Sequence, residues 1–570
     1  MKRSPVKLLD WLSHPSADHG VSFAQDGGQW ARISYRELAE QVRGVAALLS
    51  DLCPEDTTIP IVLPSGPRFI AAFFGSILAG RTPAPIAIPT AFNKPGAYET
   101  YLERLLSIAS SPVVIADSVF EKLIFAAASP RRPSIILVDD LLPHILPADT
   151  PPVSPEDIGL LQFSSGSSGN NRGVRVPVAS LEANSNGIRD WLRFDQDDAW
   201  ATWLPVHHDM GLIAGIVTPA MHGMNVYAMP PERFIRDPLL WLRCFGELGA
   251  TLSAVPNFGL EYVLRRVASP DIATMDFSRW KALVCGAERV AKGTLEDFGR
   301  LLEPAGFTKR SILPAYGLAE STLAVTGKPI GQATSTVKVS PNSLRLGEPV
   351  DFVADDDPGQ WLVGCGRIVD PATALNVCHD TAPVSDGVVG EIVVSGSSVA
   401  AGYASASDAS VSRFAGNTIF TGDAGFVYDG ELFVIGRLGD SVKVRGRSVF
   451  AEDTDACIYA VPGLGSHNAV TLLGTLDDTE AVVAIVERPS GNWVGDVAEH
   501  LRAQCPSLRV VVISTNRGSV SRTTSGKPRR AAMWQDLLGR ELIQQPVFDS
   551  AAQQDNRLAA TAGPPEETKS

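Results

Sequence analysis

The residues best suited to chemistry in this sequence form a run of serine and glycine after an apolar segment. Residues 160–174 read Leu-Leu-Gln-Phe-Ser-Ser-Gly-Ser-Ser-Gly-Asn-Asn-Arg-Gly-Val. Glycine permits positive φ and a close approach of the backbone, so successive N–H groups and serine hydroxyls can point at phosphate oxygens. The residues that would form this cradle are Ser164, Ser165, Gly166, Ser167, Ser168 and Gly169, with Arg172 adding a positive charge. The spacing is not that of a Walker loop, and taken alone the composition is also typical of a flexible surface loop.

Strands and helices alternate around this loop, which indicates a mostly parallel α/β sheet. Ser34 and Glu37 have capping-box spacing before an apolar helical face. Further helices are predicted at 69–78, 98–109, 179–191, 210–221, 238–248 and 258–267, and strands at 59–63, 83–86, 113–116, 135–138, 199–204, 225–228, 251–254 and 282–285. A proline-rich linker at 146–155 separates the two series. The pattern predicts two similar α/β layers.

The pattern of residues changes towards the C-terminus. Val/Ile-rich strands with turns predict a small β-rich subdomain at about 335–436, which completes a large domain of residues 1–439. A smaller α/β domain is predicted at 440–545. Residues 546–570 are polar and rich in Ala, Gln, Pro and Glu, which predicts a disordered tail.

Composition narrows the class of protein. A chain of 570 residues suggests several packed units, and its net charge of −14 argues against a general nucleic-acid binder. No apolar run approaches the roughly 18 residues of a membrane helix, and no signal peptide is recognised at the N-terminus. The seven cysteines are scattered, without a C-x-x-C pair. Reduced thiols and a cytoplasmic location are therefore expected.

Six further segments, in this order, resemble the adenylate-forming superfamily of acyl-CoA synthetases, peptide-synthetase adenylation domains and luciferases. They are Trp-Leu-Pro-Val-His-His-Asp-Met-Gly-Leu at 203–212, Cys-Gly-Ala-Glu at 285–288, Tyr-Gly-Leu-Ala-Glu-Ser-Thr-Leu at 316–323, Thr-Gly-Asp-Ala-Gly-Phe at 421–426, Gly-Arg-Leu-Gly-Asp at 436–440 and Thr-Thr-Ser-Gly-Lys-Pro-Arg-Arg at 523–530. Segments 207–212 and 255–262 look most like fatty acyl-AMP ligases, whose characteristic insertion would lie at about 335–360. The resemblance implies that ATP activates a fatty acid to an acyl-adenylate, whose acyl group passes to the phosphopantetheine thiol of an acyl carrier protein.

By this resemblance, Asp423 would accept hydrogen bonds from the ribose hydroxyls and Arg437 would bind ribose or phosphate oxygens. Glu320 would help to hold Mg²⁺. The alternatives are a turn aspartate, a surface arginine and a glutamate that complements a helix dipole. The remaining nucleotide-binding residues implied are Gly286, Ala287, Glu288, Ala315, Tyr316, Gly317, Leu318 and Ala319. Of these, Gly286, Ala287, Tyr316 and Gly317 would line the adenine slot, and core packing is the alternative for them.

Lys527 is the main catalytic candidate. The resemblance implies that a mobile small domain closes over the large one, so that the ammonium bridges the acyl carboxylate and the α-phosphate. On its own, the Gly-Lys-Pro-Arg-Arg segment would be interpreted as a solvated basic loop. The acyl site would involve His208 as a further catalytic candidate, together with Met210, Gly211, Asn257 and Phe258, although a histidine at a helix start is often structural.

Some segments depart from the family pattern. The phosphate loop ends in Asn-Arg-Gly at 171–173 instead of Pro-Lys-Gly, and Gly439 replaces a lysine before the implied hinge residue Asp440. Residues 441–545 hold twelve Lys/Arg against eleven Asp/Glu. The basic residues predicted to dock an acidic carrier are Lys443, Arg445, Arg447, Arg522, Lys527, Arg529 and Arg530. Two alternatives stay open, namely an acyl-CoA synthetase and a non-catalytic nucleotide- or acyl-binding protein.

Overall fold

Helices and strands alternate along most of the chain in a computed structural model. The model describes residues 4–89, 96–128, 133–137, 153–154, 156–165, 171–340, 343–405, 412–444, 447–477, 479–487, 493–523, 526–539 and 546–551. Most of the predicted linker at 146–155 lies outside these residues. So does the centre of the serine-glycine loop, Gly166, Ser167, Ser168 and Gly169.

The helices are α1 (Asp10–Ser13), α2 (Tyr35–Leu52), α3 (Pro67–Leu78), α4 (Ala97–Ala109), α5 (Glu121–Ala127), α6 (Val178–Leu192), α7 (Thr218–Met221), α8 (Pro231–Arg236), α9 (Pro238–Gly246), α10 (Asn257–Arg266), α11 (Lys292–Leu302), α12 (Ala451–Tyr459), α13 (Val494–Gln504) and α14 (Arg530–Leu538). The predicted capping box is confirmed, because the Glu37 N–H donates to Ser34 Oγ while Glu37 Oε2 accepts from the Ser34 N–H. The helix predicted at 210–221 is present, but Met210–Val217 is π-helical and only its end is α7.

The strands of the large domain that precede its β-rich part are β1 (Gly20–Ala24), β2 (Trp30–Ser34), β3 (Thr58–Val62), β4 (Thr82–Pro85), β5 (Val113–Ala116), β6 (Ser134–Leu137), β7 (Ile158–Ser165), β8 (Asn171–Pro177), β9 (Ala199–Thr202), β10 (Asn225–Ala228), β11 (Leu252–Val255), β12 (Ala282–Cys285), β13 (Ile312–Gly317) and β14 (Ala324–Gly327). The remaining strands are β15 (Thr336–Val339), β16 (Gln360–Val363), β17 (Arg367–Ile368), β18 (Thr373–His379), β19 (Ala382–Pro383), β20 (Gly390–Gly396), β21 (Arg413–Ala415), β22 (Thr418–Tyr428), β23 (Glu431–Arg437), β24 (Ser441–Val444), β25 (Arg447–Phe450), β26 (Ala469–Leu476), β27 (Thr479–Glu487), β28 (Arg509–Thr515) and β29 (Phe548–Asp549).

Two α/β sheets form the large domain, which confirms the predicted fold class. One sheet has nine strands in the order β17-β14-β13-β12-β11-β9-β10-β1-β2, and the other has four in the order β4-β3-β5-β6. The sheets differ in size because β1 pairs with β10 and carries the N-terminal segment into the larger sheet. Strands β9, β12 and β13 run in the same direction, so their carboxyl ends meet at one edge, where α/β proteins bind ligands.

The β-rich part contains a sheet of β19-β18-β20-β22-β21, with β23 paired to β22. This pairing sets Asp423 directly opposite Arg437. Strands β15 and β16, which bound the predicted insertion, form an antiparallel pair. Strand β17 lies inside the predicted β-rich range but extends the nine-stranded sheet through β14.

The C-terminal unit is a four-stranded sheet, β26-β27-β28-β29, covered by helices. The prediction of a disordered tail from residue 546 is wrong at its start, because β29 pairs with β28. Arg509 donates to both carboxylate oxygens of Asp549, at 3.0 and 2.7 Å, and holds this strand in place. Residues 552–570 lie outside the described part of the chain. None of the described helices is both long and apolar enough to cross a membrane.

Candidate active site

A connected cavity of about 2250 Å³ lies between the large domain and the C-terminal unit. The carboxyl ends of β9, β12 and β13 supply one wall, and the loop that carries Lys527 supplies the facing wall. The sequence-predicted residues that line it are Ser164, Arg172, His208, Met210, Asn257, Phe258, Gly286, Ala287, Glu288, Ala315, Tyr316, Gly317, Leu318, Ala319, Glu320, Asp423, Arg437, Asp440 and Lys527. Segments more than 360 positions apart in sequence thus meet in one site.

Asp423 lies at the centre of a polar group that closes one end of the cavity. The Tyr316 hydroxyl donates to Asp423 Oδ2 at 2.7 Å, and Arg437 Nε donates to Asp423 Oδ1 at 3.0 Å. The Asp423 charge, and to a smaller extent Glu320 and Asp440, outweighs burial and raises the pKa of Arg437. Each carboxylate oxygen of Asp423 keeps acceptor capacity for one more donor. The arrangement can therefore bind a pair of neighbouring hydroxyls, as the ribose prediction requires.

Lys527 lies inside the cavity and not on a solvated loop. Its backbone N–H donates to Thr523 Oγ1 at 3.1 Å, and its carbonyl accepts from the Thr523 N–H at 2.7 Å. Burial, followed by the charge of Arg437, lowers the pKa of Lys527, whereas Asp209, Asp423 and Glu288 oppose that shift. The ammonium thus faces three carboxylates of the large domain while it belongs to the C-terminal unit.

Gly526 explains how this loop approaches the large domain. It has φ of +85°, and a Cβ at this position would come within 3.0 Å of the Phe258 ring. A larger residue would hold the loop away from α10, because both the backbone conformation and the contact favour glycine. Gly526 and Phe258 thus lie close together in the cavity wall beside Lys527.

Glu288 follows β12 and lies near Lys527. The Phe258 N–H donates to Glu288 Oε1 at 2.6 Å. Burial raises the pKa of Glu288 to about 7, although the Phe258 hydrogen bond, Lys527 and Arg522 oppose the rise. Its ionisation near neutral pH changes the charge that Lys527 experiences.

Arg172 and Glu320 are joined through a tyrosine. Arg172 Nη1 donates to the Tyr403 hydroxyl at 3.1 Å, and that hydroxyl donates to Glu320 Oε1 at 2.9 Å. Arg172 and Glu320 are both buried and both line the cavity. The phosphate-loop arginine therefore lies beside the carboxylate predicted to hold Mg²⁺. Mg²⁺ usually binds one or two carboxylates together with substrate oxygens and water, so the single carboxylate here fits that donor set.

Glycine and alanine residues form the part of the cavity wall that is predicted to bind the nucleotide. A Cβ at Gly286 would lie 2.7 Å from the Ala315 carbonyl oxygen, and one at Gly317 would lie 1.8 Å from the Leu323 oxygen. Ala287 has φ of +66°, a conformation that is uncommon for residues other than glycine. These close approaches show that Gly286 and Gly317 pack tightly against backbone at the ends of β12 and β13, and the adenine slot stays a prediction.

Of the residues predicted for the acyl site, some line the cavity and others support the residues that do. His208 Nδ1 lies 2.7 Å from Asp209 Oδ1; this contact and Lys527 lower the pKa of Asp209 against the effect of burial. Asn257 lines the cavity, and its side chain also accepts from the Ala291 N–H and donates to Glu261. Gly211 does not line the cavity, because a Cβ there would lie 2.3 Å from the Pro205 carbonyl oxygen. An apolar part of the cavity is formed by Ile188, Trp191, Leu192, Trp200, Ala214, Val284, Leu323 and Ala324.

The predicted hinge residue Asp440 lies near a buried arginine. Arg530 Nη1 is 3.9 Å from Asp440 Oδ2 and 3.9 Å from Glu452 Oε1, and Arg530 Nη2 donates to Asp455. Burial raises the pKa of Asp440 and that of Glu452, the latter to about 7; Arg530 opposes the rise and the neighbouring carboxylates add to it. Arg530 and Lys527 are therefore not exposed in this conformation, whereas the docking face predicted from these two and five other basic residues stays a prediction. The side chains of Lys443, Arg445 and Arg447 lie outside the described part of the structure.

Sequence reasoning missed three residues of the site. Tyr403 links Arg172 to Glu320, Asp209 pairs with His208 and faces Lys527, and Arg530 organises the hinge carboxylates. Asp209 and Arg530 belong to segments that carry the resemblance, so their position could have revealed them. Tyr403 had no comparable signal beyond the preceding Gly402.

Known proteins resemble this chain in sequence and in fold. The model of the AMP-binding enzyme family matches residues 13–404. The medium-chain fatty-acid acyl-carrier-protein ligase JamA of Moorena producens is 30% identical over 565 residues, which cover 92% of this chain and 94% of that protein. The long-chain fatty-acid AMP ligase FadD26 of Mycobacterium tuberculosis is 31% identical over 553 residues, or 89% of this chain and 91% of that protein. A solved structure from work on the fatty acyl-adenylate ligases of E. coli and L. pneumophila has a TM-score of 0.85 at 25% identity and covers 95% of this chain and 99% of that chain.

The fold and the site define an adenylate-forming enzyme. The chain belongs to the AMP-binding enzyme family, and within it to the fatty acyl-AMP ligases. This confirms the resemblance and the prediction that the protein is a ligase. Enzymes of this family use ATP.

Proposed function

We propose that the protein activates a fatty acid with ATP and passes the acyl group to the phosphopantetheine thiol of an acyl carrier protein. The observation that carries the proposal is the meeting of Lys527, the pair of Asp423 and Arg437, and an apolar compartment in one cavity. JamA is an acyl-carrier-protein ligase and FadD26 is an AMP ligase by name, which supports both half-reactions.

In the first half-reaction, a carboxylate oxygen of the fatty acid attacks the α-phosphorus of ATP. The bond from that phosphorus to the bridging oxygen breaks, so pyrophosphate leaves and the acyl-adenylate forms. Asp423 and Arg437 would hold the ribose, and Lys527 would offset the negative charge that builds up on the α-phosphate oxygens. A buried ammonium is effective there because the low dielectric strengthens its interaction with that charge.

Arg172 and Glu320 would act at the pyrophosphate end. Glu320 would bind Mg²⁺, which neutralises phosphate charge when bound. Arg172, fixed by Tyr403, would contact the leaving phosphates from the other side. The Tyr403 hydroxyl sets the spacing between the Arg172 guanidinium and the Glu320 carboxylate, since it bonds to both.

In the second half-reaction, the carrier thiolate attacks the acyl carbonyl and AMP leaves, so a thioester replaces the mixed anhydride. The Lys527 loop occupies the cavity and lies close to Phe258, so we infer that the C-terminal unit moves to admit the arm. Asp440 would be the pivot, and the release of Asp440 from Arg530 would accompany that movement.

An experiment separates the two half-reactions. The protein is incubated with ATP, Mg²⁺ and fatty acids of graded length, and the acyl-adenylate is trapped as a hydroxamate with hydroxylamine. Either a holo-acyl carrier protein or coenzyme A is then supplied in place of hydroxylamine. We expect hydroxamate with at least one chain length and a thioester on the carrier. The absence of hydroxamate with every acid would refute adenylation, and efficient formation of acyl-CoA would favour the synthetase alternative.

A further inference from the structure

Four arginines lie at or near one of the places where the cavity reaches the protein surface. We call Arg236, Arg265, Arg266 and Arg522 the arginine rim. Arg236 ends α8, Arg265 and Arg266 end α10, and Arg522 belongs to the loop that leads to Lys527. The cavity lining includes Ile235, Glu261, Ser466 and Arg522, so each rim residue lies at or next to an element that borders the opening. Ile235 is 52% exposed, which places the opening at the surface.

Tyr262 holds the large-domain part of the rim together. Its hydroxyl donates to the Ile235 carbonyl oxygen at 2.5 Å and accepts from Arg266 Nη2 at 3.0 Å. The guanidinium carbons of Arg265 and Arg266 lie 5.7 and 5.5 Å from the centre of the Tyr262 ring. The tyrosine therefore fixes the end of α8 against the end of α10 and keeps two positive charges over one ring face.

Several carboxylates of the cavity lining lie near these arginines. Glu261 is engaged by Asn257 and by Ser466 Oγ at 2.6 Å, so it joins the two domains at the opening. Glu232 and Glu288 also line the cavity, and the charge of Arg522 acts on Glu288. Partial burial and the charges of Arg265 and Arg522 lower the pKa of His467 to about 4, so the imidazole is neutral at neutral pH. A positive surface here contrasts with the net charge of −14 of the whole chain.

We propose that the arginine rim is the docking surface for the acyl carrier protein, which it recognises through the phosphodiester at the base of the phosphopantetheine arm and through acidic side chains around it. This inference rests on the proposed function. The thiol must reach the acyl-adenylate through an opening of the cavity, and the arm carries its phosphate at the opposite end. A negative charge must therefore come to the protein surface beside that opening, where the arginines can attract it.

This assignment differs from the docking face that the sequence predicted. Of the residues predicted there, Arg522 alone belongs to the rim, whereas Lys527 lines the cavity and Arg530 is ion-paired with Asp455. Arg236, Arg265 and Arg266 are contributed by the acidic large domain. The movement of the C-terminal unit that admits the arm would carry Arg522 away from the other three arginines. Arg236, Arg265 and Arg266 would therefore supply the part of the docking surface that persists during acyl transfer.

The test reverses the charge of two rim residues that do not line the cavity. The variant is Arg265→Glu with Arg266→Glu, and the matched control is Lys309→Glu with Arg310→Glu, an adjacent exposed pair that gives the same change in net charge away from the cavity. Three rates are measured, namely hydroxamate formation, acyl transfer to free pantetheine, and acyl transfer to a holo-acyl carrier protein. Pantetheine offers the same thiol without phosphate or protein surface.

We expect the rim variant to retain hydroxamate formation and transfer to pantetheine within about twofold of the wild type. Its kcat/KM for the carrier should fall on the order of tenfold or more and lose its dependence on salt, because rim charges act mainly on the rate of association. The control should behave as the wild type. An unchanged kcat/KM for the carrier would overturn the rim assignment, and so would an equal loss with pantetheine. If the wild type acylated no carrier at all, the second step of the proposed function would fail instead, and the rim assignment with it.

Discussion

Replacing Lys527 by alanine should separate the two half-reactions of the enzyme. The ammonium is buried beside Asp209, Asp423 and Glu288, and it reaches the cavity from the C-terminal unit. Lys527→Ala removes the positive charge that would meet the α-phosphate during adenylation. Transfer of an acyl group from a supplied acyl-adenylate needs no such charge, so it should continue.

The expected magnitude follows from the environment of the ammonium. Two unit charges about 4 Å apart interact by about 4 kcal/mol at the effective dielectric of a protein site. Removal of one donor from an anion-stabilising site costs about 10²–10³ in kcat. Adenylation should therefore fall on the order of a thousandfold, while the KM for ATP changes much less because Asp423 and Arg437 still hold the ribose.

The assay is single-turnover formation of acyl-adenylate, followed by thioester formation from a supplied acyl-adenylate. Lys527→Arg is the matched control. It keeps the positive charge but places a bulkier, planar guanidinium in a loop that already lies close to Phe258. It should recover part of the lost rate. Adenylation by Lys527→Ala at a rate within about threefold of the wild type would refute the assigned role.

Three further changes test the electrostatics of the site. Asp423→Asn should raise the KM for ATP on the order of ten- to a hundredfold, since a hydrogen bond to a charged group is worth about 1.5–3 kcal/mol; an unchanged KM in initial-rate kinetics would remove Asp423 from the ribose site. Glu288→Gln removes a negative charge that raises the pKa of Lys527, so the alkaline limb of kcat/KM should move to lower pH, and a shift to higher pH would contradict this. Glu452, whose pKa is about 7 in the fold against 4.5 for a free side chain, favours the fold below pH 4.5 and loses that contribution as pH rises to 7. Glu452→Gln should therefore raise the free energy of unfolding by about 3 kcal/mol at pH 8 and by nearly nothing at pH 4.5, as measured by denaturant titration.

Local sequence signals predicted many of the helices and strands, because capping and apolar patterns act over only a few residues. The capping box at Ser34 and Glu37 set the start of α2, and the apolar runs at 113–116 and 282–285 became buried strands. Strands at the edges of sheets were harder to predict, because their pairing depends on contacts with residues that are distant in sequence. Strand β29 forms because Arg509 binds Asp549, and no local pattern at 546–551 reveals that partner 40 positions away.

The site was predictable where a motif carries its residues. Asp423, Arg437, Glu320 and Lys527 meet in the cavity as the resemblance implied. The sequence did not reveal which charged side chains are surrounded by opposite charges inside the fold. Arg530 belongs to a basic segment that suggests a solvated surface, yet Asp440, Glu452 and Asp455 from distant positions surround it. The arginine rim was likewise hidden, because three of its four members lie in the domain with the greater share of acidic residues.

The most direct test of the account is the identity of the products of ATP cleavage. The purified protein is incubated with ATP, Mg²⁺ and a fatty acid in a single turnover, and the quenched mixture is analysed by mass spectrometry. Adenylation predicts one acyl-AMP and one pyrophosphate for each ATP consumed, and AMP after a holo-acyl carrier protein is added. Formation of ADP and phosphate, or consumption of ATP without acyl-AMP, would contradict the assignment of this cavity to acyl-adenylate chemistry.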